Sequence, residues 1–223
     1  MTTKKAAAAP RTPRTRQLVR PLADGSRGAR ERLALLAGRG EGPKGVEATV
    51  RRILEAVRRD GDAAVARYTK RFDGVALAPA DFEVPRRELS AALGRVPRTL
   101  RRSLEVAHER IRAFHQAGKE KGYERREPGI RTGMRVLPME RAGVYVPGGK
   151  AAYPSSVLMN IVPAKVAGVE DITVVTPPSR AGVSDAVLAA ASIAGATRVL
   201  RVGGAQAVGA LAYGTRSIAR VDK

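Results

Sequence analysis

Two loops with paired glycines are the parts of this 223-residue sequence that are best suited to bind a ligand. The first loop is PGGK at residues 147–150, and the second is GGAQ at residues 203–206. Paired glycines allow a ligand close to the backbone, and a helix that begins after such a loop directs free N–H groups toward an anion such as a pyrophosphate. Neither loop has the GxGxxG spacing of a dinucleotide site, so the motif alone favours two tight turns over nucleotide binding.

Few other residues have side chains that could carry out catalysis. The sequence has no cysteine, which excludes disulfides, thiolate metal ligands and cysteine nucleophiles, and its only imidazoles are those of His108 and His115. The two histidines are seven positions apart on one predicted helix, which separates them by roughly 10 Å along the helix axis, too far to bind one metal ion together. Serines and carboxylates stand at positions typical of helix caps, turns and solvated surfaces. The sequence therefore predicts no catalytic residue and no metal ligand in this chain.

Charge and composition restrict the class of protein. The net charge is +20, from 41 Lys and Arg against 21 Asp and Glu, and the 43% of hydrophobic residues is typical of a globular chain. We expect neither a membrane span nor a secretory signal, and hence a cytoplasmic protein, because the sequence has no long apolar run. With five tyrosines, three phenylalanines and no tryptophan, few rings could stack on bases. Any binding of nucleic acid is therefore expected to be weak and non-specific.

The spacing of apolar residues predicts three segments. Residues 1–43 are rich in Ala, Pro and Arg without periodicity and are predicted to form a basic mobile tail. Residues 44–140 form the helical part of an incomplete α/β domain, and residues 141–223 form a Rossmann-like module. Within the helical part, amphipathic helices are predicted from Val46 to Asp60, through Val65 to Asp73 and from Pro97 to Ala117, with a short strand near residues 82–84.

After residue 129 the pattern changes to short β-branched runs that alternate with alanine-rich runs. A strand pair is predicted between residues 130–137 and 141–146, and Pro163 is expected to kink or split the helix that contains it. Successive strand–helix units indicate an α/β fold with a Rossmann-like parallel sheet, preceded by a helical segment that belongs to a second domain. The predicted units are residues 142–146 with 154–167, 171–176 with 182–195, and 198–202 with 205–213.

Several runs in the sequence resemble the histidinol dehydrogenase family. They are GVYVPGG at 143–149, SVLM at 156–159, PAKVAG at 163–168, VGGAQA at 202–207, LAYGT at 211–215 and VDK at 221–223. The resemblance covers about residues 46–223. It implies a zinc-dependent, homodimeric enzyme of histidine biosynthesis, which oxidises L-histidinol through the aldehyde to L-histidine with two NAD+.

The resemblance also implies which residues bind the dinucleotide. The family's contacts fall on Tyr145, beside the first glycine loop, and on Gln206, beside the second. A tyrosine offers a ring and a hydroxyl, and a glutamine amide both donates and accepts hydrogen bonds, as a carboxamide or a ribose requires. Together with the loop glycines, the predicted cofactor-binding residues are Tyr145, Gln206, Gly148, Gly149, Gly203 and Gly204.

The family's zinc ligands, its acid–base glutamate and histidine and most of its substrate contacts lie beyond the position that matches Lys223. The resemblance therefore implies the N-terminal portion of the enzyme, with the NAD-facing residues but without the zinc ligands, and we expect it to be inactive alone. Two alternatives remain open. One is a related NAD-dependent dehydrogenase of another amino alcohol or a hydroxy-sulfonate, and the other is a basic nucleic-acid-binding protein on the same fold.

Overall fold

The computed structural model describes residues 25–37, 45–148 and 152–223. The chain divides into two compact units, one ending at Val46 and one beginning at Glu47. The first unit contains helix α1 (Arg27–Ala37), in a stretch where the sequence predicts no element. The hydroxyl of Ser26 accepts a hydrogen bond from the N–H of Ala29 at 3.1 Å, as a helix-capping serine does. Residues 1–24 and 38–43 of the predicted mobile tail lie outside the described residues.

The helices that precede the parallel sheet agree with the amphipathic pattern. The predicted helices at 46–60, 65–73 and 97–117 are confirmed as α2, α3 and α5, while α4 was not predicted. Gly74 ends α3 in the left-handed conformation, with a φ of 69°, which glycine adopts without strain. Among the described residues, no helix has the length and apolarity needed to cross a membrane. The bounds are α2 (Val46–Asp60), α3 (Asp62–Asp73), α4 (Arg86–Arg95) and α5 (Arg98–Ala117), with a 3-10 turn at Pro79–Asp81.

A hairpin follows α5, and it corrects one predicted strand pairing. Strand β1 (Tyr123–Glu127) pairs antiparallel with β2 (Ile130–Met134), so the prediction that residues 130–137 pair with 141–146 is wrong. Pro128 and Gly129 form the two-residue connection, and the φ of Gly129 is 75°. Such a connection joins neighbouring strands more readily than a longer one does. The strand before it was missed because its sequence, YERRE, has no apolar alternation.

A parallel sheet with the strand order β3-β4-β5 forms the centre of the second unit and confirms the predicted Rossmann-like α/β fold. The predicted strand at 82–84 is a short antiparallel bridge on β5, in which the N–H of Val84 donates to the carbonyl of Val199 at 2.8 Å. Pro163 lies inside α6, which continues as one helix and is not split. The elements are β3 (Arg141–Tyr145), α6 (Pro154–Ala167), β4 (Asp171–Val175), α7 (Asp185–Ala194), β5 (Arg198–Leu200) and α8 (Gly204–Tyr213).

The sheet is buried on both faces, and the earlier helices complete its cover. Along β4, Ile172 and Val174 face one apolar cluster, with α4, α5, α6 and α7. Val175 belongs to a second cluster, with α2, α3 and α8. A strand alternates its side chains between two faces, so these clusters lie on opposite sides of the sheet. Helices α2 to α5 therefore add to the cover of the parallel sheet, since α4 packs on α7, α5 on α6 and α3 on α8, while α2 contributes to the second cluster. The predicted domain boundary between residues 140 and 141 stays a prediction.

Asp60 links α2 to the start of α3 and makes stability depend on pH. Hydrogen bonds from Arg59, at 2.7 Å, and from Arg67, at 3.0 Å, hold the pKa of Asp60 at about 2, below its usual 3.8. A carboxyl whose pKa falls on folding stabilises the folded state above its unfolded pKa, and this contribution is lost as the pH falls through the folded pKa.

We therefore expect Asp60→Asn to lower the melting temperature at neutral pH, with the difference from the unsubstituted chain shrinking between about pH 4 and pH 2. Thermal unfolding followed by circular dichroism across this range measures the difference. Added salt should also reduce it, because the Arg59 side chain is largely exposed. A difference that stays constant from neutral pH to about pH 2 would contradict this account of Asp60.

Candidate functional site

The carboxyl ends of the three parallel strands meet around Pro177, which follows β4. A Cβ atom on Gly148, just after β3, would lie 3.2 Å from the Pro177 ring. A Cβ atom on Gly203, after β5, would lie 2.7 Å from Pro177 Cβ and 2.8 Å from Pro177 Cα. The structure thus brings both glycine loops to one edge of the sheet, with Pro177 packed against each. Ligands of open parallel sheets bind at this edge.

The packing gives Gly148 and Gly203 a structural role that the sequence did not reveal. At Gly203 Pro177 occupies the space that a side chain would need, and at Gly148 a side chain would be crowded against the same ring, whether or not a ligand is present. Gly204 is constrained differently, since its φ is 63° and a Cβ atom there would lie 2.6 Å from Oε1 of Gln206. Gly149 lies outside the described residues.

A cavity of about 250 Å³ lies beside Pro177, between the loops that follow β3 and β4. Ser184, the residue before α7, lines the cavity, so the first turn of that helix lies next to it. The loop after β4 was not predicted to belong to the site, so its polar residues were missed. The rule that ligands bind at the carboxyl ends of parallel strands would have pointed to this third loop. The polar lining residues that were missed are Thr176, Ser179 and Ser184.

Gln206 lies in the first turn of α8 and is buried, with 1% of its surface exposed. Among the residues that the structure describes, neither Nε2 nor Oε1 of its amide has a hydrogen-bond partner. A buried polar group without partners costs about 1–3 kcal/mol of folding free energy. Such a group is rare in folded proteins and marks a position where a ligand, or an ordered water, can complete the hydrogen bonds.

Tyr145 ends β3 and remains 41% exposed. Its neighbours Val144 and Val146 are buried in the cluster with α6 and α7, so by strand alternation Tyr145 faces the α8 side of the sheet. There it lines a second cavity, of about 340 Å³, together with Val208 and Leu211 of α8. Tyr145 therefore shares a cavity with the helix that carries Gln206, and it does not line the cavity beside Pro177.

The two histidines lie on α5, away from the glycine loops in the sequence. Nδ1 of His108 lies 3.2 Å from a carboxylate oxygen of Glu109, and the ring of His115 packs edge-on against Phe114. Across residues 25–37, 45–148 and 152–223, no group of three or more His, Cys, Asp and Glu side chains could hold a metal ion. The described residues therefore do not fit a zinc ion.

Comparison with known proteins places this arrangement in a family. The family profile described as histidinol dehydrogenase matches residues 38–223. The chain is 53% identical over 194 residues to a histidinol dehydrogenase of Aquifex aeolicus, a match that covers 86% of this chain and 45% of that protein. It is 54% identical over 173 residues to a histidinol dehydrogenase of Pseudomonas aeruginosa, covering 77% of this chain and 39% of that protein.

The fold agrees with a solved structure of the same family. The chain superimposes on the crystal structure of histidinol dehydrogenase from Elizabethkingia anophelis with a TM-score of 0.76 and 33% sequence identity, over 82% of this chain and 42% of that one. The chain thus spans less than half the length of the relatives that it matches. These matches favour neither a nucleic-acid-binding protein nor a dehydrogenase of another substrate. On the extent of the family profile and the identity to these relatives, the chain belongs to the histidinol dehydrogenase family.

Proposed function

We propose that this chain is the NAD-binding portion of an enzyme that oxidises L-histidinol, through L-histidinaldehyde, to L-histidine with two NAD+. Membership of the family supports the reaction. The geometry of the site supports the binding of NAD+ by this chain. The observation that carries the proposal is the buried amide of Gln206, which has no partner in the described part of the chain and lies beside Gly204 at the start of α8. A dinucleotide would supply the hydrogen-bonding groups that this amide lacks.

In this proposal the described residues bind and orient the cofactor, which accepts a hydride from the substrate when it is bound. Gln206 would donate through Nε2 and accept through Oε1, as a carboxamide or a ribose edge requires. Tyr145 would contribute an exposed ring and a hydroxyl on the α8 side of the sheet. The predicted set is completed by the loop glycines Gly148, Gly149, Gly203 and Gly204.

The proposal extends to a zinc ion, a homodimer and a cytoplasmic location for the complete enzyme, as the family resemblance implies. Among the residues that the structure describes, none form a zinc site, so other residues would have to hold the ion. We therefore expect these 223 residues alone to give no NADH from L-histidinol, even with zinc and NAD+ supplied.

Replacing Gln206 with leucine tests the cofactor role directly. Leucine has a similar volume and no polar atoms, so Gln206→Leu removes two buried, unpaired atoms. We expect the substitution to stabilise the folded chain by about 1–3 kcal/mol and to weaken NAD+ binding roughly tenfold or more. Urea unfolding measures the first effect, and isothermal titration with NAD+ measures the second.

Asn160→Leu provides the matched control. Asn160 is an exposed amide on α6 whose Nδ2 already donates to the carbonyl of Ser156 at 2.7 Å. We expect this variant to gain no stability and to bind NAD+ as the unsubstituted chain does. NAD+ affinity that is unchanged in Gln206→Leu would show that Gln206 has only a structural role. Failure of the unsubstituted chain to bind NAD+ would overturn the proposed function.

A further inference from the structure

The cavity beside Pro177 lies at the carboxyl edge of the sheet, but neither Tyr145 nor Gln206 lines it. It has a volume of about 250 Å³ and lies between the loops that follow β3 and β4. Every described residue in its lining is uncharged, and hydroxyl groups come from Thr176, Ser179 and Ser184. The cavity is therefore suited to a ligand that accepts hydrogen bonds from neutral donors.

Thr176 places a buried hydroxyl against this cavity. It is the first residue after β4 and is 3% exposed, and its N–H donates to the carbonyl of Leu200 at 3.1 Å, so it continues the geometry of the strand. Val174 faces the cluster with α6 and α7, so by alternation Thr176 faces the same side, where Val187 of α7 lines the cavity. Its hydroxyl has no hydrogen bond to another described residue. Such a buried hydroxyl marks a position where a ligand can complete the hydrogen bonds.

The first turn of α7 adds unpaired backbone donors beside Ser184. Ser184 precedes the helix, and its carbonyl accepts from the N–H groups of Val187 and Leu188, each at 3.0 Å. Its hydroxyl makes no capping hydrogen bond. The N–H groups of Asp185 and Ala186 have no backbone partner among the described residues, as is usual in the first turn of a helix. These donors and the positive end of the helix dipole favour an anion.

The acidic residue of this turn does not oppose an anion in the cavity. Nε and Nη2 of Arg95, on α4, both donate to one carboxylate oxygen of Asp185, at 2.8 and 2.6 Å. This ion pair offsets the charge of Asp185, which does not line the cavity. The Ser179 hydroxyl donates to the carbonyl of Gly182 at 2.7 Å. Within the described part of the chain, the lining hydroxyls without a partner are therefore those of Thr176 and Ser184.

We propose that the cavity beside Pro177 binds a phosphate group, held by the hydroxyls of Thr176 and Ser184 and by the N–H groups at the start of α7. A phosphate has several acceptor oxygens, which matches a site whose unpaired groups are hydroxyl and N–H donors. Two sources can supply such a group. One is the pyrophosphate of a dinucleotide, which rests on the proposed function, and the other is a free phosphate ion.

Titration of the chain with inorganic phosphate, without NAD+, tests the site. We expect saturable binding in isothermal titration, and shifts of the Asp185 and Ala186 amide signals in the NMR spectrum, because the N–H groups become hydrogen-bonded. The shifts are needed to locate the ion, since the net charge of +20 attracts anions to other parts of the surface as well.

Thr176→Val removes the buried hydroxyl and keeps the branched shape of the side chain. We expect the affinity for phosphate to fall roughly tenfold or more. Stability in urea should not fall, because the hydroxyl that is removed has no partner in the described part of the chain. Thr132→Val makes the same change on the exposed strand β2 and is the matched control, which should bind phosphate as the unsubstituted chain does.

Titration with NAD+, in the absence and in the presence of saturating phosphate, identifies the source of the phosphate group. If the pyrophosphate of the dinucleotide occupies the cavity, phosphate competes with NAD+, and Thr176→Val weakens the binding of both. If the cavity takes a free phosphate ion, the affinity for NAD+ is unchanged by phosphate and by Thr176→Val. Either result supports a phosphate site in this cavity.

Equal affinity of Thr176→Val and the unsubstituted chain for phosphate would overturn the proposal. Phosphate binding that leaves the amide signals of Asp185 and Ala186 in place would overturn it too, as would the absence of any binding. A chain that binds phosphate in this cavity but does not bind NAD+ would contradict the proposed function and leave the phosphate site supported.

Discussion

Replacing Gly203 with alanine is expected to destabilise the folded chain by about 3 kcal/mol. The added Cβ would lie 2.7 Å from Pro177 Cβ and 2.8 Å from Pro177 Cα, so the backbone of the loop after β4 has to move. The φ of Gly203 is −131°, which alanine adopts readily, so the effect arises from crowding and not from backbone strain. Urea unfolding of both proteins measures the difference in free energy of unfolding.

The same substitution at Gly94 is the matched control. Gly94 lies within α4, and a Cβ atom there would meet nothing within 4 Å. Alanine favours the helix over glycine by roughly 0.5–1 kcal/mol, so Gly94→Ala should stabilise the chain. Combining Gly203→Ala with Pro177→Ala should restore part of the lost stability, because Cγ and Cδ of the proline ring are removed while Cβ and Cα remain. If Gly203→Ala were as stable as Gly94→Ala, the glycine loops would not pack on Pro177 as described.

Replacing Asp62 with asparagine is expected to cost roughly 2–3 kcal/mol of folding free energy. The Asp62 carboxylate, at the start of α3, accepts hydrogen bonds from the hydroxyl of Thr215, and from the N–H and hydroxyl of Ser217 at 3.1 and 2.9 Å. These bonds tie the loop after α8 to α3, next to Ile218, which is fully buried. An asparagine would place an N–H group against donors, so at least one bond would be lost.

Asp81→Asn is the control for the charge change. Asp81 is exposed, and Arg201 binds its backbone carbonyl, which the substitution retains. Thermal unfolding should therefore separate the two variants clearly, with Asp62→Asn melting at the lower temperature. Equal melting temperatures would show that Asp62 does not hold the loop that follows α8.

The elements that were predicted correctly share a strong local pattern. Helix α2 has apolar residues at helical spacing and ends at Asp60-Gly61, and the strands β3, β4 and β5 are short β-branched runs followed by proline or glycine. The hairpin was assigned the wrong partner because β1 is polar throughout. Helix α4 was missed because only Leu89 and Ala92 of its ten residues are buried. In both elements the apolar pattern is too sparse to indicate the structure.

The candidate site was predicted in outline from the rule that parallel strands end at one edge. That rule places the loops at 147–150 and 203–206 together, and the structure brings Gly148 and Gly203 to the same proline. The rule applies equally to the loop after β4, but it does not predict that Pro177 of that loop packs against both glycines. It also does not predict that Tyr145 opens into a cavity on the α8 side, apart from the cavity beside Pro177.

The sequence by itself determined the order of the strand–helix units and the family, because periodicity, turn residues and the runs around each glycine loop are local properties of the chain. Only the tertiary structure decided that Pro177 packs against two of the glycines and that, among the residues that the structure describes, the amide of Gln206 is buried without a partner. Each of these depends on how closely residues distant in the sequence approach one another, and side-chain packing sets that distance in three dimensions.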